Sequence, residues 1–194
     1  MKKGLLIILS GPSGVGKGSV RKQIQKFNAI DFAYSVSMTT REPRERETNG
    51  VDYYFVSKEE FQANIDRGNF LEWAEFVGNR YGTPKDKVEE LRNQGMNVFL
   101  EIEINGATQV LENVKKEHDN RVISFFLMPP SLNDLEARIR KRQTETEEII
   151  QERLQKGAKE MAMTKNYDHI ILNDRVPRAA GEIIYLIKRK QNKK

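Results

Sequence analysis

Apolar residues along the chain fall into short continuous runs, and these alternate with stretches whose apolar positions recur at helical spacing. Residues 5–9, LLIIL, form an unbroken apolar run, the pattern of a parallel strand covered on both faces. A glycine-rich turn follows, and the spacing then predicts a helix over about 17–27. Residues 34–37 and 53–56 read as short strands around a charged loop, REPRERETNG, at 41–50. Residues 58–67 read as a helix stopped by Gly68, and 70–77 as a strand. Pro84, favoured in a first helical turn, opens a helix that ends before Gly95. Strands at 98–104 and 122–128 flank a helix over about 106–117, and Pro129 and Pro130 stop the second of them. Ser131 caps a helix to about Arg142, and Thr144 with Glu147 three residues on has the form of a capping box for a helix to about 165. A strand at 170–172 and a helix at 176–190 complete the order.

Strands at 5–9, 98–104, 122–128 and 170–172, joined through helices, predict an α/β fold with a parallel sheet flanked by helices. Residues 35–84 break the rhythm with closely spaced short strands and read as an inserted small mixed lobe. The 194 residues suit one domain that buries its own core. There is no cysteine, which excludes disulfide staples and thiolate metal sites and fits a cytoplasmic setting. Lys2 and Lys3 before the first apolar run mimic a signal peptide, but five apolar residues fall short of the roughly 7–15 such a segment needs. No other run is long enough to span a membrane. The last seven residues, KRKQNKK, carry five basic side chains and account for the whole net charge of +5. The basicity therefore belongs to a tail, and no nucleic-acid-binding face is expected.

Candidate chemistry begins at residues 11–19, GPSGVGKGS, which lie between a predicted strand and a predicted helix. Gly11, Gly16 and Lys17 fit the phosphate-binding loop pattern, in which backbone N–H groups and the helix N-terminus form an anion site and the lysine lies along the β- and γ-phosphates. The whole run, Gly11, Pro12, Ser13, Gly14, Val15, Gly16, Lys17, Gly18 and Ser19, is the candidate donor-nucleotide site. Gly18 stands where the pattern usually has a hydroxyl, so a Mg²⁺ ligand, if the loop supplies one, falls to Ser19. Glu101 and Glu103 close the 98–104 strand, where alternation puts both on one face at the sheet edge that binds ligands. Such carboxylates serve Mg²⁺ through water or pair with nearby arginines; both readings stand on the residues alone.

In the inserted lobe, Arg41 and Arg44 sit three apart with Pro43 between them, a spacing that lets two guanidinium groups hold one phosphate. A solvated loop in which they pair with Glu42, Glu45 and Glu47 is the alternative. Tyr53 and Tyr81 offer hydroxyls, and Glu72 places a carboxylate in an otherwise apolar stretch. Trp73 and Phe76 read as core of the lobe.

The motifs SMTTREPR, NGVDYYF, FLEWAEF and RYGTP, in that order, resemble the GMP-binding lobe of guanylate kinases. With GPSGVGKGS, FLEIEINGA, PPS and RIRKRQTETEE the resemblance covers essentially the whole chain. It implies a P-loop nucleoside monophosphate kinase of purine metabolism, transferring the γ-phosphoryl of ATP to GMP or dGMP with Mg²⁺. It implies a core over about 1–34, 85–137 and 154–194, a GMP-binding lobe over about 35–84, and a lid over about 138–153. Arg41, Arg44, Tyr53 and Tyr81 would bind the acceptor phosphate. Ser37, Glu72 and Thr83 would read guanine, and Gly82, Glu101 and Glu103 would complete the acceptor site. Arg138, Arg142 and Arg153 would act with Lys17 on the transferring charge, and Asn173 would lie near the adenine. Gln143 stands where the family commonly has glycine. A related binding module that recognises a phosphopeptide would share the fold, but such modules usually degrade the loop that is intact here.

Overall fold

The computed structural model describes residues 2–76, 78–141 and 146–192. In chain order the elements are β1 (Leu6–Ser10), α1 (Lys17–Phe27), β2 (Ala33–Tyr34), β3 (Met38–Thr39), β4 (Tyr54–Phe55), α2 (Lys58–Asp66), β5 (Phe70–Phe76) and β6 (Asn79–Pro84). They continue with α3 (Lys85–Asn93), β7 (Val98–Glu101), α4 (Ile104–Lys116), β8 (Val122–Met128), α5 (Leu132–Arg140), α6 (Glu147–Met161), β9 (His169–Leu172) and α7 (Val176–Asn192). One sheet has the order β2-β7-β1-β8-β9, with β2 parallel to β7 and β8 parallel to β9. A second, mixed sheet has the order β4-β3-β6-β5.

The chain divides into two compact units. The first comprises Met1–Leu6, Phe32–Phe99 and Gly106–Arg121 and holds the whole mixed sheet. Phe61 of α2 stacks on Phe70 of β5 with ring centroids 4.5 Å apart, which fixes that helix against the sheet. The second comprises Ile7–Asp31, Leu100–Asn105 and Val122–Lys194. There α1 packs on α7. Val20 and Ile24 of α1 and Ala179, Ala180 and Ile183 of α7 are fully buried, and the two alanines keep that face of α7 narrow.

Three sequence expectations need correction. Strand β7 stops at Glu101 and α4 starts at Ile104, so Glu103 lies in the turn between them and strand alternation does not relate it to Glu101. Residues 79–84 form a strand, β6, that the sequence pattern did not reveal. Its glycine and proline argue against strand, yet Pro84 closes it at φ −63° and ψ 121° and so caps α3 rather than lying inside it. Helix α6 is preceded by Thr146 in an extended conformation, with Glu147 as its first residue; the expected cap at Thr144 lies outside the described residues.

Candidate active site

In the second unit, β1 delivers the chain into the glycine-rich loop and α1 leaves it. Gly16 caps α1 in the left-handed region, φ 101°, with no side-chain cap, so the first amides of the helix are open to an anion. A Cβ at Gly16 would also lie 2.9 Å from Asn173 Nδ2. The Lys17 ammonium folds back onto its own loop, donating to the carbonyls of Gly11 at 2.7 Å and Pro12 at 3.3 Å. Burial lowers the Lys17 pKa, and Glu101, Glu103 and Glu160 act against that shift.

A cavity of about 490 Å³ opens on this loop. Gly11, Ser13, Gly14, Lys17 and Ser19 line it from the loop side, facing Glu101 and Glu103, while α6 adds Lys156 and Glu160. Glu101 pairs with Arg21 at 3.0 Å. Glu103 and Glu160 both lie near Lys156, at 3.4 and 3.6 Å. The described residues contain no cluster of three or more His, Asp or Glu that could hold a metal. An exposed serine hydroxyl with two facing carboxylates fits Mg²⁺ that keeps most of its water and takes its other ligands from phosphate.

Arg138 and Asn173 brace the loop. Arg138 donates to the carbonyls of Val15 at 2.9 Å and Asn173 at 2.7 Å, and Asn173 Nδ2 donates to Val15 at 2.8 Å. Arg153 lies half-buried in α6. Arg142 and Gln143 lie outside the described residues.

In the first unit, Glu72 and Thr83 stand directly opposite each other on antiparallel β5 and β6. The Thr83 hydroxyl donates to Glu72 Oε1 at 2.6 Å. Glu72 Oε2 lies 2.8 Å from where a Cβ of Gly106 would stand, so the glycine lets α4 approach the carboxylate. Gly82, buried next to Thr83, is opposite Trp73. Ser37 is half-buried, its carbonyl accepting from the Tyr54 N–H. The rings of Tyr53 and Tyr81 meet with centroids 6.1 Å apart, and the Arg41 guanidinium lies 5.6 Å from the centre of the Tyr53 ring.

Arg41 is held in place by Glu47. Its Nη2 donates to both carboxylate oxygens, at 2.8 and 2.9 Å, and the Arg44 N–H donates to the same carboxylate at 2.9 Å. The Arg41 side-chain bond to Glu47 raises the Arg41 pKa against desolvation, and Tyr81 adds to the rise. The Arg44 side chain is exposed. The pairing of Arg41 with Glu47 is thus the loop arrangement that the sequence left as an alternative, with the Arg44 amide on the same carboxylate. Trp73, expected in the core, is 36% exposed with Arg80 lying over its ring. The side chain of Phe76 lies outside what is described.

A family model of guanylate kinase matches residues 3–190. The chain belongs to the guanylate kinase family. It is 51% identical over 189 residues to the guanylate kinase of Mesoplasma florum, covering 97% of this chain but only 62% of that relative, so it spans less than two thirds of that protein's length. It is 47% identical to the guanylate kinase of Malacoplasma penetrans, covering 97% of this chain and 95% of the relative. The crystal structure of the guanylate kinase from Anaplasma phagocytophilum superposes with a TM-score of 0.73 at 32% identity, over 99% of this chain and 88% of that one.

The sequence motifs single out most of what lines these two places. The exceptions include Arg21, Lys22, Ile102, Gly106, Lys156 and Glu160, while Glu47 was expected only as a pairing partner of the loop arginines. Gly106, inside a helix where glycine is disfavoured, was a local signal. Arg153, Lys156 and Glu160 recur at three- and four-residue spacing on one face of α6, a pattern that could have found the last two.

Proposed function

We propose that this chain is an ATP:GMP phosphotransferase that works with Mg²⁺. The observation that carries the reading is the Glu72–Thr83 pair. A carboxylate held on one oxygen by a hydroxyl presents acceptor character to the N1–H and N2–H₂ edge of guanine, which adenine lacks. Ser37 faces the same recognition task, and Arg41, Arg44, Tyr53 and Tyr81 supply donors for the GMP phosphate. On the donor side, the amides of residues 11–19 and the α1 N-terminus cradle the α- and β-phosphates, and Lys17 leaves its own loop carbonyls to meet the β,γ end.

An ionised phosphate oxygen of GMP is already a nucleophile, so no side chain needs to remove a proton. Catalysis then consists of in-line positioning and of neutralising the spread charge, the task of Lys17 and the arginines of α5 and α6. Ser19, Glu101 and Glu103 would hold the hydrated Mg²⁺, which when bound screens the β- and γ-oxygens. Arg138 and Asn173 keep the loop in shape by clamping the Val15 carbonyl. Among the described residues no helix is long and apolar enough to cross a membrane, and we place the reaction in the cytoplasm. The test is ADP release measured with ATP and each of GMP, dGMP, AMP, CMP and UMP. The reading requires turnover with GMP and dGMP far above the other three; equal rates across all five would sink it.

A further inference from the structure

We propose that Lys156 is a further catalytic residue of the donor site, acting beside Lys17 on the γ-phosphate; the proposal rests on the donor reading above. Lys156 lines the same cavity as the loop, although it comes from α6. It lies between two carboxylates, 3.4 Å from Glu103 and 3.6 Å from Glu160, and its side chain is 53% exposed. Glu160 is nearly buried, and burial raises its carboxyl pKa, with the Lys156 charge acting the other way. Lys156 thus places a positive charge beside both carboxylates on the cavity wall that α6 supplies.

The position of that cation follows from Lys17. The charged groups that act on Lys17 are Glu101, Glu103, Glu160 and Lys156, so the two lysines share one electrostatic environment. The loop amides cradle the α- and β-phosphates, and the loop lysine reaches the β,γ end. A cation outside the loop, tied to the turn after β7, meets the phosphate beyond those two. A terminal phosphate carries more charge than a carboxylate. The lysine ammonium is a compact point charge on a flexible stem, so it can leave the well-exposed Glu103 for the phosphate. A plain i,i+4 surface pair with Glu160 would leave nucleotide affinity unchanged.

The experiment is calorimetric titration of the full chain with ATP and with ADP, magnesium chloride present, for the wild type, Lys156→Met and Lys156→Arg. Lys156→Met is expected to weaken ATP about 10- to 100-fold, the range for losing a hydrogen bond to a charged group, and ADP by less than about 3-fold. Lys156→Arg should recover most of the ATP affinity, because the positive charge is kept. In steady state the methionine variant should lose at least as much in kcat/KM for ATP, with KM for GMP unchanged. Equal weakening of ATP and ADP, or no change in either, overturns the proposal while the donor reading stands. Failure of the wild type to bind ATP would instead remove the donor reading itself.

Discussion

Lys17 in this structure donates to the carbonyls of Gly11 and Pro12, contacts that a polyphosphate must replace. Lys17→Met keeps the aliphatic stem and removes the charge, so the loop should fold while the β,γ end loses its counter-charge. Turnover is expected to fall by about 10²–10³-fold, as for removal of one group that stabilises developing charge, with an unchanged far-UV circular dichroism spectrum as the control. Glu72→Gln swaps an acceptor for an amide whose NH₂ would face the guanine donors. Its kcat/KM for GMP should drop by about 30-fold or more, with AMP use unchanged or raised, because pairing two donors leaves both unsatisfied. An unaltered GMP/AMP ratio would refute the base-reading role of Glu72. Both residues were legible in the sequence for different reasons. Lys17 belongs to a contiguous pattern whose geometry is local, whereas Glu72 was legible only as one of several spaced motifs. The bidentate hold of Glu47 on Arg41 was not legible as a site feature. In a loop with Glu42, Glu45 and Glu47, which carboxylate reaches which arginine depends on the turn that the backbone takes.

Between elements, the least legible feature is the set of bonds that ties α3 to the segment before β1 and to the segment before β8. Arg92, 1% exposed, donates to the carbonyls of Gly4 at 3.2 Å and Arg121 at 3.1 Å. It pairs with Glu89 at 2.6 Å and Asp119 at 2.8 Å, and Lys3 reaches the same two carboxylates. An arginine near the end of an amphipathic helix reads as surface; only the long-range arrangement buries it. Asp119→Ala leaves Arg92 with Glu89 as its remaining charged partner and should destabilise the chain by about 3 kcal/mol, the upper end for losing a hydrogen bond between charged groups. The melting temperature would fall by about 6–12 °C. Burial pushes the Asp119 carboxyl up, but the Arg121 N–H, Arg92 and Lys3 outweigh it and hold its pKa below the ordinary value. A carboxyl whose folded pKa is depressed contributes stability that is full above its unfolded pKa, about 3.9, and is lost as pH falls through the folded value. Urea titrations between pH 3 and 7 should therefore show a shallower acid limb in Asp119→Asn than in the wild type. At the start of α4 a second inter-element contact bears on the site. Gly106→Ala adds a good helix former but sets a Cβ 2.8 Å from Glu72 Oε2. The variant should keep or slightly raise its melting temperature while KM for GMP rises several-fold. A loss of stability with normal GMP kinetics would contradict that account.

At the scale of the whole chain, the candidate acceptor residues from Ser37 to Thr83 all fall in the first compact unit, and the donor loop falls in the second. The alternating strands and helices made the α/β class readable, but not this partition. It cuts inside β1, between Leu6 and Ile7, and inside β7, between Phe99 and Leu100, where the sequence shows unbroken apolar runs. Each of these two strands contributes residues to both units, so neither unit holds either strand whole. One cooperative thermal transition is expected. A ligand that binds only the folded chain raises stability by RT ln(1 + [L]/Kd), about 2.7 kcal/mol at a hundred times Kd, or about 5–10 °C for a chain of this size. GMP alone and ATP with magnesium alone should therefore each move the single transition upward by about that amount in scanning calorimetry. In Glu72→Gln the GMP shift should largely vanish while the ATP shift persists, and in Lys17→Met the reverse should hold. Two separated transitions would refute the cooperative coupling. A GMP shift that survives in Glu72→Gln at the same concentration would remove Glu72 from the acceptor site.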